Sequence, residues 1–484
     1  MPNTLKPSER MKIPRQTPRE QAPEERNKNF TEVSLGFDES LVALEAARCL
    51  DCRDPVCIEG CPVRIDIPSF IKLILEKDYE AAAAKIKEAC YLPAVTGRVC
   101  PQENQCEREC IMGKKHPPLA IGKLERFVAD HVYRSGGNAK ILLPEQRNEK
   151  VAIVGSGPSG LTCAVELAKK GYRVTIFEAL HAAGGVLRYG IPEFRLPKSI
   201  LDREIENVKK LGVEVITNFI IGRTATVDEL LGEFGFDAIF LGTGAGTPNF
   251  LNIPGENLPG VYSASEFLTR VNFMKGYRFP DVDTPVKLGK RVAVFGGGDT
   301  ALDAVRTALR LGPEKAYLIY RRSRAEMPAR TEEVHHALEE GVELLELTSP
   351  VQFFGDGGKW IKAVKCVKME LGEPGLDGRR KPVEIPGSSF IIEIDTAIIA
   401  IGQSPNPILQ ATTPNLAVSK RGTVIVDGTG KTNREGVFAG GDVSRGGATV
   451  ILAMQDGKTA AEAIHNYLGE KITAGQEASI NATE

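Results

Sequence analysis

Histidine occurs only six times in this 484-residue chain, which leaves little material for a histidine-built metal centre. No apolar run reaches the ~20 residues that a membrane-spanning helix needs. Neither sign of charge prevails. The 61 Lys and Arg stand against 63 Asp and Glu, for a net charge of −2. That balance gives no sign of a nucleic-acid binder or of a protein held on acidic lipid. An apolar leader is missing at the N-terminus, so a reducing cytoplasm is the expected location. Cysteine is nearly missing from the body of the chain. Eight of the 10 cysteines precede residue 111, and Cys163 and Cys366 stand alone. With 484 residues a single core is not expected, and three domains are.

Seven of the early cysteines form two runs. Cys49, Cys52, Cys57 and Cys61 are spaced C-x2-C-x4-C-x3-C before Pro62. Cys100, Cys106 and Cys110 are spaced C-x5-C-x3-C, with Pro101 after the first. Thiolates that bind iron come from a short loop bent around a cube of iron and sulfide, with one distant cysteine closing each site. The first run departs by two residues from the bacterial ferredoxin spacing, whose fourth cysteine serves the other cluster. Two interleaved clusters are therefore expected rather than two separate ones. A zinc site would show paired C-x2-C knuckles, and only one C-x2-C is present. Disulfides suit a small secreted domain, which this is not. Cys90 fits neither run and is expected to be a small buried hydrophobe.

The first thirty or so residues are charged and proline-rich, and should form an extended arm lying on another surface or on a partner. Apolar spacing predicts helices over residues 39–50 and 67–89, the latter with Pro68 at its start, and over 120–132. Residues 134–150, with Gly136, Gly137 and Pro144, are the linker candidate.

After the linker comes a short buried strand, Val151 to Val154, then the loop Gly155-Ser156-Gly157-Pro158-Ser159-Gly160, a helix to Lys170, and a strand from Arg173 to Phe177 ending on Glu178. In such a loop the first glycine permits a tight turn, the second lets backbone approach a pyrophosphate, and the third lets helix and strand pack. Glu178 stands where a carboxylate would hold an adenosine ribose. The pattern returns about 140 residues later, at Arg291 to Phe295, Gly296-Gly297-Gly298 and Ala316 to Tyr320, as an internal duplication. Here Arg321 and Arg322, with Arg324 close by, follow the second strand, where guanidinium groups would pair with a 2′-phosphate. This favours NADP(H) at the second site and a different dinucleotide at the first; the alternative is a solvated basic surface. A third segment, Gly436 to Gly441, is a strand entering a glycine turn that ends on Asp442. Gly446-Gly447-Ala448-Thr449-Val450 then opens a helix to about Leu468. It reads as the closing flavin signature of a two-dinucleotide reductase, with Asp442 on the ribityl chain and the helix N-terminus facing the flavin. Phe240 to Gly244 and Ile398 to Gly402 are the crossovers into and out of an inserted domain.

On these motifs the chain resembles the family of the small subunit of NADPH-dependent glutamate synthase. Similar chains are the large subunit of NADH-dependent ferredoxin–NADP oxidoreductase and the N-terminal half of dihydropyrimidine dehydrogenase. Further stretches carry the resemblance: Gly97-Arg98-Val99-Cys100-Pro101, Tyr189 to Pro197, and Gly298-Asp299-Thr300-Ala301-Leu302-Asp303. The resemblance implies an α/β fold of the glutathione/thioredoxin-reductase kind, with two Rossmann-like domains behind a helical iron–sulfur domain. The expected divisions are 1–145 for arm and iron–sulfur domain, 146–244 with 404–484 for FAD, and 245–403 for NADP(H). It also implies that Cys49, Cys52, Cys57 and Cys110 hold one [4Fe–4S] cluster. Cys61, Cys100 and Cys106 hold the second, with Glu125, from Ile121-Gly122-Lys123-Leu124-Glu125, as fourth ligand; a surface glutamate is the alternative.

By the same resemblance Gly185, Val186 and Arg195 contact FAD beside Gly155, Gly157, Pro158, Ser159, Gly160, Glu178, Gly441, Asp442, Thr449 and Val450. Gly297, Gly298, Asp299, Thr300, Arg321, Arg322 and Gly402 would hold NADP(H). The implied activity passes electrons between NADP(H), FAD and the clusters to a partner, with no acid–base residue, since positioning suffices. A disulfide reductase would need a cysteine pair beside the flavin, and Cys163 and Cys366 do not make one. A docking subunit with vestigial sites is the remaining alternative. The arm with Lys12-Ile13-Pro14-Arg15-Gln16 looks more like the ferredoxin–NADP oxidoreductase subunit, whose FAD is the bifurcating flavin. Expected partners are then a flavin and [2Fe–2S] subunit or a glutamate synthase large subunit, with ferredoxin as a further one, and neither nucleic acid nor membrane.

Overall fold

The computed structural model describes residues 5–137, 144–357, 360–375 and 378–481. Two parallel five-stranded sheets repeat one strand order. The first runs Val437–Ala439, Ala238–Leu241, Lys150–Val154, Arg173–Phe177, Glu214–Ile216. The second runs Val261–Ser263, Thr396–Ile399, Arg291–Phe295, Lys315–Ile319, Glu343–Leu345. In each, the strand that enters a glycine loop is central, and the chain leaves it first to one side and later to the other. That reversal is where open α/β sheets bind ligands. Helices cover the sheets, so Val151 to Val154 and Val292 to Phe295 are buried without alternation. The second sheet is inserted into the first: Thr247–Pro248 on the way in pairs antiparallel with Gln403–Ser404 on the way out. A four-stranded antiparallel sheet, residues 348–393, packs on the insert.

Ahead of the sheets lies a helical unit. Asp38 caps Glu39–Ala47 by accepting from Ser40 N at 3.0 Å and Leu41 N at 2.9 Å. The helix expected over 67–89 is two, Ile67–Leu75 and Tyr79–Lys87. Lys77 takes left-handed backbone (φ +60°), and Asp78 starts a new helix by accepting from Ala81 N at 2.9 Å. Apolar spacing continues across the break, so a local cap overrides the periodicity. Ile121–Arg134 crosses Pro93–Val99 at Gly97, where a Cβ would lie 2.7 Å from Arg126 N. The last helix, Val450–Asn481, outruns the expected end at Leu468. Linker residues 138–143 lie outside the described residues.

The arm folds back on this chain. Arg15 donates to Pro118 O and pairs with Glu107, both at 2.7 Å, on the helical unit. Val33 N donates to Phe194 O at 3.0 Å, and Phe30 stacks on Tyr277 of the insert with centroids 4.2 Å apart. Arg26, 2% exposed, reaches Glu339 at 2.5 Å and Glu340 at 3.1 Å on the far side of the insert. No helix among the described residues is long and apolar enough to cross a membrane.

Candidate metal and dinucleotide sites

Cys49, Cys52, Cys57 and Cys110 line one cavity, closed by Pro55, Ile67, Pro68 and Ile121. All four are half-buried. Cys61, Cys100, Cys106 and Glu125 are fully buried and form a second group: the charges of Glu125, Cys61 and Cys106 all reach Cys100. Burial first, and neighbouring thiols after it, push Cys49 up to about 11 and Cys57 up to about 12. So many sulfurs in one small volume can all ionise only around a compensating cation. A single zinc with bonds of ~2.3 Å would draw its sulfurs to about 4 Å of one another. Among the described residues no three cysteine sulfurs lie within 4.8 Å of one another, so neither group is drawn in as around a single zinc. One trio does lie that close: Glu20, Glu332 and His336. Lys123 at 2.8 Å and Arg330 at 2.7 Å already neutralise Glu332, and Arg26 at 3.3 Å neutralises Glu20.

In the first glycine loop each glycine has its own physical reason. Gly155 is left-handed (φ +100°), and a Cβ there would lie 2.5 Å from Gly242 O. A Cβ on Gly160 would lie 1.9 Å from Gly155 O, whereas one on Gly157 meets open space. The loop is closed except at the glycine where a pyrophosphate would approach. Gly157→Ala is therefore expected to fold and keep its iron but lose flavin, and Gly160→Ala to lose the fold; absorbance at the flavin bands and iron per chain separate the two. Pro158 opens the helix Pro158–Ala168. Glu178 accepts from Ser156 N at 3.0 Å, from Ser156 Oγ and from Leu180 N at 2.8 Å, which leaves lone pairs for a ribose. Gly184 N donates to the same Ser156 Oγ at 3.0 Å, and Gly185, ahead of half-exposed Val186, sits against Gly157.

The third segment comes to the same place. Gly441 (φ +78°) packs against Ser159, and Asp442 accepts from Ala448 N at 3.2 Å. Burial raises the Asp442 carboxyl, and that hydrogen bond opposes the shift. Thr449 and Val450 begin the last helix, which crosses Pro158–Ala168 at Gly457, where a Cβ would lie 2.2 Å from Ser159 O. Two helix N-termini thus converge on one site. Ser156, Asp456 (which accepts from Gly441 N at 2.9 Å) and Gly457 are absent from the expected residues. Gly457 had a signal, since a glycine inside a helical run usually marks a close crossing. The Arg195 side chain is held on the insert instead: it donates to Asp303 at 2.7 Å and forms an ion pair with Glu333 at 3.1 Å.

In the second loop a Cβ on Gly296 would lie 2.3 Å from Ala400 O, while one on Gly298, which caps Asp299–Arg310, would meet only Pro328 at 3.9 Å. Gly297 lies against the Tyr320 ring, and Asp299 accepts from Arg330 N at 3.1 Å. Thr300 is exposed, and Gly402 (φ +108°) meets Asn249. Tyr320 stands at the register position of Glu178, so no acid occupies the ribose corner. Arg321 beside it is exposed and makes no ion pair among the described residues, and Arg322 donates to Arg380 O at 2.7 Å.

Comparison with known proteins gives the family. Residues 26–137 match the family model described as dihydropyrimidine dehydrogenase domain II, 4Fe-4S cluster, and residues 149–457 match pyridine nucleotide-disulphide oxidoreductase. The glutamate synthase [NADPH] small chain of Halomonas elongata is 36% identical over 94% of this chain and 97% of its own length. The Escherichia coli small chain is 35% identical over 91% and 94%. The NADP(+)-dependent formate dehydrogenase subunit beta of Moorella thermoacetica is 41% identical over 86% of this chain, which spans 60% of that subunit's length. Mycobacterium tuberculosis FprA in complex with NADPH shares the fold, with a TM-score of 0.58 at 20% identity over 68% of this chain and 86% of FprA. The cofactors are accordingly 4Fe–4S iron–sulfur, FAD and NADP(H). The chain belongs to the pyridine nucleotide-disulphide oxidoreductases, in the group of glutamate synthase small subunits and their relatives, and is an NAD(P)H-dependent oxidoreductase.

Proposed function

We propose that this chain is the electron-transfer subunit of a cytoplasmic complex, with two [4Fe–4S] clusters on the residues grouped above, FAD in 146–244 and 404–484, and NADP(H) in 245–403. When bound, FAD exchanges hydride with the nicotinamide and single electrons with the clusters. The observation that carries the reading is the graded burial of the two cysteine groups. The buried group adjoins the flavin unit: Ala94 N, on the helix leading to Cys100, donates to Glu204 of that unit at 3.0 Å, and Lys458 Nζ donates to Ala89 O at 3.3 Å. The half-buried group faces outward, where a partner would dock. Gly157 and Gly298 admit the two pyrophosphates, while at the adenosine ribose Glu178 would accept from free hydroxyls and Arg321 would pair with a 2′-phosphate. Anaerobic NADPH should bleach the flavin bands of the protein; unchanged bands with FAD fully loaded would reject the reading. Flavin and iron counts near zero would favour a docking subunit instead.

Arg321→Ala is expected to raise KM for NADPH by about 10- to 100-fold, the worth of one charge-assisted contact, and to leave NADH nearly unaffected. Steady-state kinetics with both nucleotides check it. The role preferred here is the large subunit of an NADH-dependent ferredoxin–NADP oxidoreductase, on the strength of the arm. The near full-length match to glutamate synthase small chains supports the second reading, electron supply for glutamate formation. Co-purification decides: a flavin and [2Fe–2S] subunit supports the first, an amidotransferase-like large subunit the second.

A further inference from the structure

Cys90 is wholly buried, on the segment between Tyr79–Lys87 and Pro93–Val99. Its Sγ lies 3.3 Å from Thr96 Oγ1, and Thr96 Oγ1 lies 2.5 Å from Glu125 Oε1. The thiol is therefore two hydrogen-bond lengths from the carboxylate expected to complete the second cluster. It is also near enough to Cys100 and Cys61 to exchange electrostatic influence with both. Four irons need four protein ligands, and five candidates surround this site: Cys61, Cys100, Cys106, Glu125 and Cys90. A filler among apolar neighbours could stand anywhere in the core; this sulfur stands one hydroxyl away from Glu125.

Resting on the two-cluster reading, we propose that Cys90 is a reserve iron ligand of the second cluster, held beside Glu125 by Thr96 and able to take its position. If Glu125 is absent, a Cys90 Sγ–iron bond forms in place of the carboxylate oxygen–iron bond. The thiol proton passes to water, as for every cysteine ligand, and no electron is gained or lost. Thr96 keeps the two groups apart: its hydroxyl can donate to Glu125 while its lone pair accepts from the thiol.

The test is iron per chain, with the reduced-cluster EPR spectrum, in anaerobically purified wild type, Glu125→Ala, Cys90→Ala and the double variant. Flavin content and Trp360 fluorescence report folding. The wild type tests the underlying reading by itself, since about eight irons are required for two clusters. The reserve role predicts that Glu125→Ala keeps about eight irons with an altered spectrum, and that the double variant falls to about four. Equal loss in Glu125→Ala and the double variant overturns the proposal, as does retention of all iron in both. Iron loss in Cys90→Ala alone would make Cys90 the resident ligand and also overturn it. If the double variant does not fold, Glu125→Ala/Cys90→Ser replaces it under the same criteria.

Discussion

Replacing Cys57 by alanine is expected to remove about four of about eight irons per chain while the flavin stays bound. The sulfur lines the half-buried cavity, where the other three thiols of its group cannot saturate four irons. The cavity is separate from both glycine loops, so NADPH should still bleach the flavin. What should vanish is onward reduction of a one-electron acceptor at the protein surface, by two orders of magnitude or more. Iron, flavin and acceptor assays on one preparation check all three points. Loss of flavin together with the iron would mean that the two units do not fold independently of each other's cofactor.

The second large effect is on stability. Glu340 is wholly buried and takes hydrogen bonds from Arg306 at 2.6 and 3.0 Å, from Arg310 at 2.7 and 2.9 Å, and from Arg26 at 3.1 Å. Burial alone would raise its carboxyl; the hydrogen bonds from Arg310 and Arg306, and their charges, outweigh it and hold the group at about 2. Glu340→Gln removes the one carboxylate paired with Arg310 among the described residues and leaves Arg306 to Glu333 and Arg26 to Glu20 and Glu339, in a dry interior, at a cost of about 3–5 kcal/mol. The sign with pH follows from the depressed value. The stabilisation is complete above the unfolded carboxyl's range near 4.3 and is lost as pH falls toward 2, about 3 kcal/mol in all. Urea unfolding followed through the single tryptophan, Trp360 of the insert, should show wild-type stability falling between pH 5 and 3, with a flatter Glu340→Gln curve.

Much of this was legible in the sequence because the features are local. Glycine loops, cysteine runs and buried strands are each set by neighbours within about ten residues, and the strands at 151–154, 173–177 and 291–295 lie where the pattern puts them. What was not legible depends on distant contacts. The break at Lys77 hides inside continuous apolar spacing. The Arg195 side chain sits in a flavin-like motif, yet Asp303, more than a hundred residues on, holds it. Ser156 looked like a spacer between two glycines, and only the folded loop shows its hydroxyl joining Glu178 to Gly184. Cys90 had no spacing partner, and only the crossing of two helices brings it to Glu125.

The arm changes what kind of machine the two nucleotide-binding units can be. Two chain crossings alone, at Thr247–Pro248 and Gln403–Ser404, would make a swivel. Phe30, Val33 and Arg26 bolt across it, tying insert to flavin unit from the opposite edge. With the swivel locked, nicotinamide and flavin must meet by the entry of the nucleotide rather than by rotation of its carrier. A protease cut after Lys28 would part the Arg26 bolt from those of Phe30 and Val33 without touching either pocket.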